Sequence, residues 1–321
     1  MRICVIGEGM VELSRAGDAW RMGHGGDTLN TAIHLARFGF DVAYVTALGA
    51  DPFSTDLRAA WSGEGLDTGL ILTDPNRRPG LYAITTDAAG ERSFTYWRGD
   101  SAARGMFDLP GAEAVLIRVA QADLICFSLI TLAILPSAAQ RRLLDVCRHA
   151  RARGGRVAFD GNYRPSLWAG AGEAAAARDA AIACCDIGLP TLADETLLSG
   201  LRTGADVARH WSGLGAGEVV VKTGAAGCWL AGIGAVRTPG RLEPVDTSGA
   251  GDAFNAGYLA ARLRGAGLRD AALAGHRLAG WVVMRPGAIP ARDRDAPYDA
   301  ADFPSNPGVA KPSAAKDAGP R

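Results

Sequence analysis

Apolar runs of strand length recur along the chain, at residues 3–6, 42–48, 124–128, 157–160, 187–189 and 219–221, each leading into a stretch with helical spacing. A strand that alternates polar with apolar residues can leave one face in water, but a continuously apolar strand has to be covered on both. Strands of the second kind, separated by helices, predict an α/β fold: a doubly wound, mostly parallel sheet flanked by helices. The chain of 321 residues is long enough for one large domain, or a large domain with a small appendage, around a substantial core.

Two stretches break this rhythm. Residues 10–23 and 81–98 alternate with period two, and the second carries a turn signal at Asp87-Ala88-Ala89-Gly90, so together they predict a small β-sheet lid. From residue 293 to 321 the composition shifts to Pro, Ala, Asp and Lys with little periodicity, which predicts a poorly ordered carboxy-terminal segment after a main domain of residues 1–292.

Lys plus Arg balance Asp plus Glu at 34 each, which argues against a nucleic-acid or polycationic partner and for a small-molecule one. The six cysteines show no CxxC pair and no metal spacing, and read as buried thiols of a reducing compartment. The start, MRICVIGEGM, enters a strand without a signal-peptide pattern, and the most apolar segment, residues 124–135, is shorter than the roughly 20 residues that span a bilayer. A cytoplasmic protein without membrane contact is expected, with homo-oligomerisation left open.

The string VDTSGAGDAFNAGYL, residues 245–259, sets small residues and an aspartate directly before a helical run. Small residues let backbone approach a ligand, and the first N–H groups of a helix are unpaired donors at the positive end of its dipole. An anionic oxygen is stabilised there, and Asp252 at the helix start can accept a proton from a hydroxyl held beside it. Gly25-Gly26-Asp27-Thr28-Leu29-Asn30 opens a second amphipathic helix, where Asp27 and Asn30 offer hydrogen bonds to hydroxyl groups. A third turn, Lys222-Thr223-Gly224-Ala225-Ala226-Gly227, follows the strand 219–221.

Two arginines offer to bind an anionic group. In Ser93-Phe94-Thr95-Tyr96-Trp97-Arg98 the alternation puts Phe94, Tyr96 and Arg98 on one face, and Asp160-Gly161-Asn162-Tyr163-Arg164-Pro165 follows a strand whose carboxyl end borders the ligand crevice of an open α/β sheet. A guanidinium suits a carboxylate, so a small molecule that carries one is inferred.

Taken together, GGDTLN near the start and DTSGAGDAFNAGYL near the end resemble the two signatures of the ribokinase-like (PfkB) carbohydrate kinases. The resemblance implies an ATP-dependent sugar kinase in which Gly249, Ala250 and Gly251 form an anion hole and Asp252 is the catalytic base. It implies an acceptor site lined by Gly26, Asp27, Thr28, Asn30, Tyr82, Tyr96, Arg98 and Arg164. Asn162, Arg164, Lys222, Thr223, Gly224, Gly227 and Ser248 are implied on the nucleotide side. Asp246 and Thr247, with the later segment 285–288, lie where many relatives bind a monovalent cation such as K⁺. The family's N-x-x-E segment, which helps organise Mg²⁺, is replaced here by Thr191-Leu192-Ala193-Asp194, and Asp194 or Glu195 is left to act on Mg²⁺ through water.

Across residues 1–292 the resemblance is nearest to family members that phosphorylate the 6-hydroxyl of 2-keto-3-deoxygluconate. A kinase of neutral ketoses or pentoses is the alternative within the fold, and a non-catalytic sugar-acid sensor the alternative outside enzymes. A dinucleotide oxidoreductase is disfavoured because Gly7-Glu8-Gly9-Met10-Val11-Glu12 lacks the third glycine of that fingerprint.

Overall fold

β1 (Arg2–Ile6) alternates between two interiors: Cys4 and Ile6 pack into one hydrophobic core, Ile3 and Val5 into the other. That is the signature of a strand covered on both faces, and it recurs in the interior strands at residues 41–48, 124–128, 156–160 and 218–222. The computed structural model describes residues 1–86 and 92–299. The further strands are β2 (Met10–Ala16), β3 (Ala19–Gly25), β4 (Asp41–Leu48), β5 (Ile71–Thr73), β6 (Leu81–Thr86), β7 (Arg92–Trp97), β8 (Leu124–Ser128), β9 (Arg156–Asp160), β10 (Ile187–Gly188), β11 (Glu218–Lys222), β12 (Cys228–Leu230) and β13 (Gly234–Val236).

Nine strands form the main sheet in the order β13-β12-β11-β10-β9-β8-β1-β4-β5. From β5 to β11 every pairing is parallel, and each apolar run read in the sequence lies in one of these strands. Two short antiparallel strands, β12 and β13, extend the β11 edge, a feature the apolar-run pattern does not reveal. The chain moves outward from β1 through β4 to β5, then returns to build β8 to β11 on the other side. The order therefore reverses beside β1, and the crevice at the carboxyl ends of β1 and β8 is where an open α/β sheet takes its ligand.

The two alternating stretches do form a separate sheet, β3-β2-β6-β7. Tyr82 faces Tyr96 and Ile84 faces Phe94 across β6 and β7. The rings of Tyr82, Phe94 and Tyr96 cluster at 5.9–6.4 Å, giving this sheet one aromatic face. The turn predicted at residues 87–90 lies outside the described residues.

At the carboxy terminus, residues 300–321 also lie outside the described residues. The boundary expected at residue 292 falls too early, because Tyr298 is buried against Phe38 and Trp281 at ring distances of 5.0 and 5.8 Å. One aromatic ring among Pro, Ala and Asp is invisible to a periodicity argument, yet its burial anchors the segment. The six cysteines are all free and buried, and among the described residues no helix is long and apolar enough to cross a membrane.

Candidate active site

Asp252 stands in the first turn of the helix Ala250–Leu263, whose N-cap, Gly249, is left-handed at φ 69°. Only glycine adopts that conformation without strain. A Cβ on Gly249 would also lie 2.4 Å from the Cβ of Ala288. The helical ladder opens with Ala253 N donating to Gly249 O at 2.8 Å, so the amides of Gly251 and Asp252 come ahead of it at the positive end of the dipole. Above Gly251 there is room: a Cβ there would meet nothing nearer than Lys222 Nζ at 3.9 Å.

The second glycine signature supplies the opposite wall. Asp27 and Asn30 lie on the helix Asp27–Arg37, and Asn30 Nδ2 donates to Asp252 Oδ2 at 2.8 Å across 222 residues of sequence. Thr31 Oγ1 donates to the Asp252 carbonyl at 3.3 Å, so one face of this helix grips the aspartate twice. Asn162 Nδ2 donates to Asp27 Oδ2 at 3.3 Å. Asp27, Ser128, Asp160 and Asn255 line one cavity at the carboxyl ends of β8 and β9.

This crowding of carboxyl groups shifts the titration of Asp252. Burial, then the charge of Asp27, push Asp252 up to about 8; donation by Asn30 opposes the rise, Asp160 adds to it and Lys222 works against it. Asp27 is raised by its own burial, against a hydrogen bond from Ser128, with Asp160 adding to the rise. A carboxyl group poised near neutrality, tethered in the mouth of a cleft beside open helix amides, is the arrangement expected of a general base next to an anion site.

The profile of the pfkB family carbohydrate kinases matches residues 2–294. The chain belongs to that family. It is 46% identical to 2-dehydro-3-deoxygluconokinase of Dickeya dadantii, covering 89% of this chain and 96% of the relative. To the protein of the same name in Escherichia coli it is 44% identical, covering 91% and 98%. Among solved structures, the aminoimidazole riboside kinase of Salmonella enterica, complexed with aminoimidazole riboside and an ATP analogue, superposes with a TM-score of 0.75 at 25% identity, over 90% of this chain and 95% of that one. A PfkB protein from Polaromonas gives a TM-score of 0.75 at 30% identity, over 86% and 93%.

Within this carbohydrate kinase, several expected site residues converge and others are redirected. Hydrogen bonds join Asn30 to Asp252 and Asn162 to Asp27, Gly26 is the N-cap of the helix that carries Asp27 and Asn30, and Gly249, Ala250 and Gly251 lead into the helix that carries Asp252. Packing alone requires the glycine pair. A Cβ on Gly25 would strike Tyr82 Oη at 2.2 Å, and one on Gly26 would strike the Glu8 carbonyl at 2.2 Å, so protein groups already occupy the space. Thr28 is buried with its hydroxyl 3.1 Å from Tyr44 Oη, and it lines the same cavity as Asp27 and Asp160.

Lys222 reaches inward and donates to Asp160 Oδ1 at 2.9 Å and Asn255 Oδ1 at 3.0 Å; Asn255 Nδ2 in turn donates to Asp160 Oδ2 at 2.9 Å. This closed triangle fixes the end of β11 against the base helix. Thr223, Gly224 and Gly227 form the turn beyond it, with Thr223 N on Gly227 O at 2.9 Å and both glycines at positive φ, 63° and 114°.

Glu195 is the clearest correction. It is buried, accepts from Arg178 Nη1 at 2.7 Å and from Trp211 Nε1 at 3.0 Å, and so serves the core rather than a metal ion. One residue earlier on the same helix, Asp194 points the other way, 3.7 Å from the half-exposed Arg164 and within the field of Asp160 and Lys222. Adjacent helical positions differ by about 100°, which separates the two carboxyl groups.

On the lid side, Tyr82 donates to Glu12, and the buried Arg98 pairs with the buried Glu8. Arg98 Cζ lies 5.9 Å from the Tyr96 ring centroid, while its Nε and Glu8 Oε1 are buried without a hydrogen-bond partner. Glu8 was missed in the sequence because it reads as part of a loop; only the fold puts it 90 positions away against Arg98. Asp160 and Asn255 were legible in principle, the first closing a strand and the second three residues after Asp252 on one helical face. Asp246 joins the two segments expected to meet: its Oδ1 accepts from Ser248 N at 2.8 Å and its Oδ2 from Gly287 N at 2.6 Å.

Proposed function

We propose that this kinase transfers the γ-phosphoryl group of ATP to the 6-hydroxyl of 2-keto-3-deoxy-D-gluconate, giving 2-keto-3-deoxy-6-phosphogluconate in sugar-acid catabolism in the cytoplasm. The observation that carries the chemistry is the Asn30-tethered Asp252, raised to about 8, beside the Gly251 and Asp252 amides that precede the helical ladder. The acceptor assignment is supported by the relatives named 2-dehydro-3-deoxygluconokinase at 44–46% identity.

In this reading ATP lies along the 222–227 and 248–251 turns and the acceptor beneath the aromatic face of the lid. Asp252 takes the proton of the attacking hydroxyl, and the helix amides stabilise charge on the phosphoryl oxygens, which is most of what a protein can contribute to phosphoryl transfer. Asp27 and Asn162 hold acceptor hydroxyls. Arg98 spends one donor on Glu8, and a guanidinium has five, so it retains capacity for the sugar carboxylate, with Tyr96 over it and Arg164 at the rim.

Mg²⁺ supplies charge neutralisation along the phosphates and binds through one or two carboxylates plus water. Asp194, which unlike Glu195 is not committed to the core pair, would hold the ion through water. The proposal includes a K⁺ subsite at Asp246 and Thr247, behind the same turn. The test is an ADP-release assay comparing 2-keto-3-deoxygluconate, its galactonate epimer, fructose and ribose, with and without K⁺. Turnover of fructose equal to that of the keto-deoxy acid would reject the acceptor assignment.

A further inference from the structure

His34 lies one helical turn after Asn30 on the helix Asp27–Arg37, and it is fully buried. Both ring nitrogens are engaged. Nδ1 lies 2.7 Å from Tyr298 Oη and Nε2 lies 3.1 Å from the carbonyl oxygen of Ala288. A carbonyl only accepts, so Nε2 carries the hydrogen and donates to Ala288 O. Burial, reinforced by the nearby Arg37 charge, pushes the imidazole down to about 3, so it is neutral and has a single N–H. Nδ1 then offers a lone pair, and the Tyr298 hydroxyl donates to it. The tyrosine hydroxyl thus selects the tautomer that holds Ala288.

Ala288 matters because of what it backs. Its Cβ occupies the space a side chain on Gly249 would need, and the preceding residue, Gly287, is bonded through its amide to Asp246, which also caps Ser248 N. The segment is held from the same helix a second time, by Arg37 Nη1 donating to Pro290 O at 2.7 Å. Asn30 restrains the base and His34 restrains the wall of the anion hole, so one helix sets the distance between the two halves of the site.

We infer that Tyr298 and His34 are positioning residues for phosphoryl transfer: the carboxy-terminal segment, through the Tyr298 hydroxyl and the His34 N–H, fixes the Ala288 carbonyl and with it the Gly249–Gly251 turn. The inference rests on the family's phosphoryl transfer and not on the identity of the acceptor, so it is tested with whichever acceptor the wild-type enzyme turns over.

The experiment compares Tyr298→Phe, His34→Leu and His34→Gln in the full chain, reading kcat, KM for acceptor and ATP, and thermal melting. Glutamine places an amide N–H near the position of Nε2 and leucine places none. Removing one hydrogen bond from the support of the transition state predicts a fall in kcat of about fivefold for Tyr298→Phe and about tenfold for His34→Leu, with both KM values within about twofold of wild type. His34→Gln is expected to recover most of the loss. In wild type, ¹⁵N shifts of His34 report the Nε2–H tautomer. A Tyr298→Phe enzyme that melts earlier but keeps its kcat, a His34→Gln no better than His34→Leu, or an Nδ1–H tautomer would each overturn the inference.

Discussion

The most exposed consequence of the site is its pH dependence. Asp252 has to be ionised to accept the hydroxyl proton, and its folded value is about 8. At pH 7 roughly one molecule in eleven then carries the active form, so kcat/KM for the acceptor, measured at saturating ATP, should rise with unit slope and level off above about pH 8. The γ-phosphate titrates lower, near pH 6, and is separable. Two substitutions should move this limb in opposite directions. Asp27→Asn removes the charge that ranks second among the causes of the rise, so the limb shifts to lower pH. Asn30→Ala removes a 2.8 Å donor to the carboxylate, and a hydrogen bond to a charged group contributes about 1.5–3 kcal/mol, or about 1–2 pH units at 1.36 kcal/mol each, so the limb shifts upward. A stopped series of ADP-release rates from pH 6 to 9.5 decides it. A flat profile, or a shift of both variants in one direction, would refute the assignment of Asp252 as the base.

Asp252→Asn should abolish turnover while ATP binding, followed by calorimetry, persists. It should also melt higher at neutral pH. The folded carboxyl value lies above the ordinary value near 3.9, so the residue's contribution to stability falls as pH rises from about 4 to about 8, and the amide lacks that slope. Glu195→Gln should lower stability by about 1–3 kcal/mol, because it removes the buried carboxylate on Arg178 Nη1 and leaves Asp179, at 2.8 Å from Nη2, as the remaining anion. Turnover of the folded fraction and its Mg²⁺ titration should be unchanged; a raised Mg²⁺ requirement would return Glu195 to the metal site. Arg98→Ala should raise KM for the acid sugar at least tenfold, on the order of the 1.5–3 kcal/mol of a charge-assisted contact, and leave KM for ATP in place. Equal changes in both constants would make Arg98 a structural partner of Glu8 alone.

The architecture was open to reading from sequence because the two sheets obey different periods. Continuous apolar runs at 3–6, 42–48 and 124–128 read as strands covered twice, and the alternation at 10–23 and 81–98 reads as a sheet with one packed face. The short strands β12 and β13 and the burial of Tyr298 were not open to it, since a run of three residues or a single ring carries no period. In the site, the residues legible beforehand were those whose chemistry is local: a turn of small residues before a helix, and an aspartate in that helix's first turn. The residues that escaped or misled are those whose meaning lies in a partner far along the chain. Glu8 becomes a site residue through Arg98, and Glu195 becomes a core residue through Arg178 and Trp211.

Sequence alone therefore determined the layers of the fold and the turn of small residues with its helix-start aspartate, because backbone donors, dipoles and side-chain periodicity act over a few residues. Tertiary structure decided which carboxyl group titrates near neutrality, which is committed to an ion pair, and which carbonyl a histidine holds. Those outcomes depend on burial and on charges within a few ångströms, and the chain brings Asp252 to Asn30, and Tyr298 to His34, only when the sheet has closed.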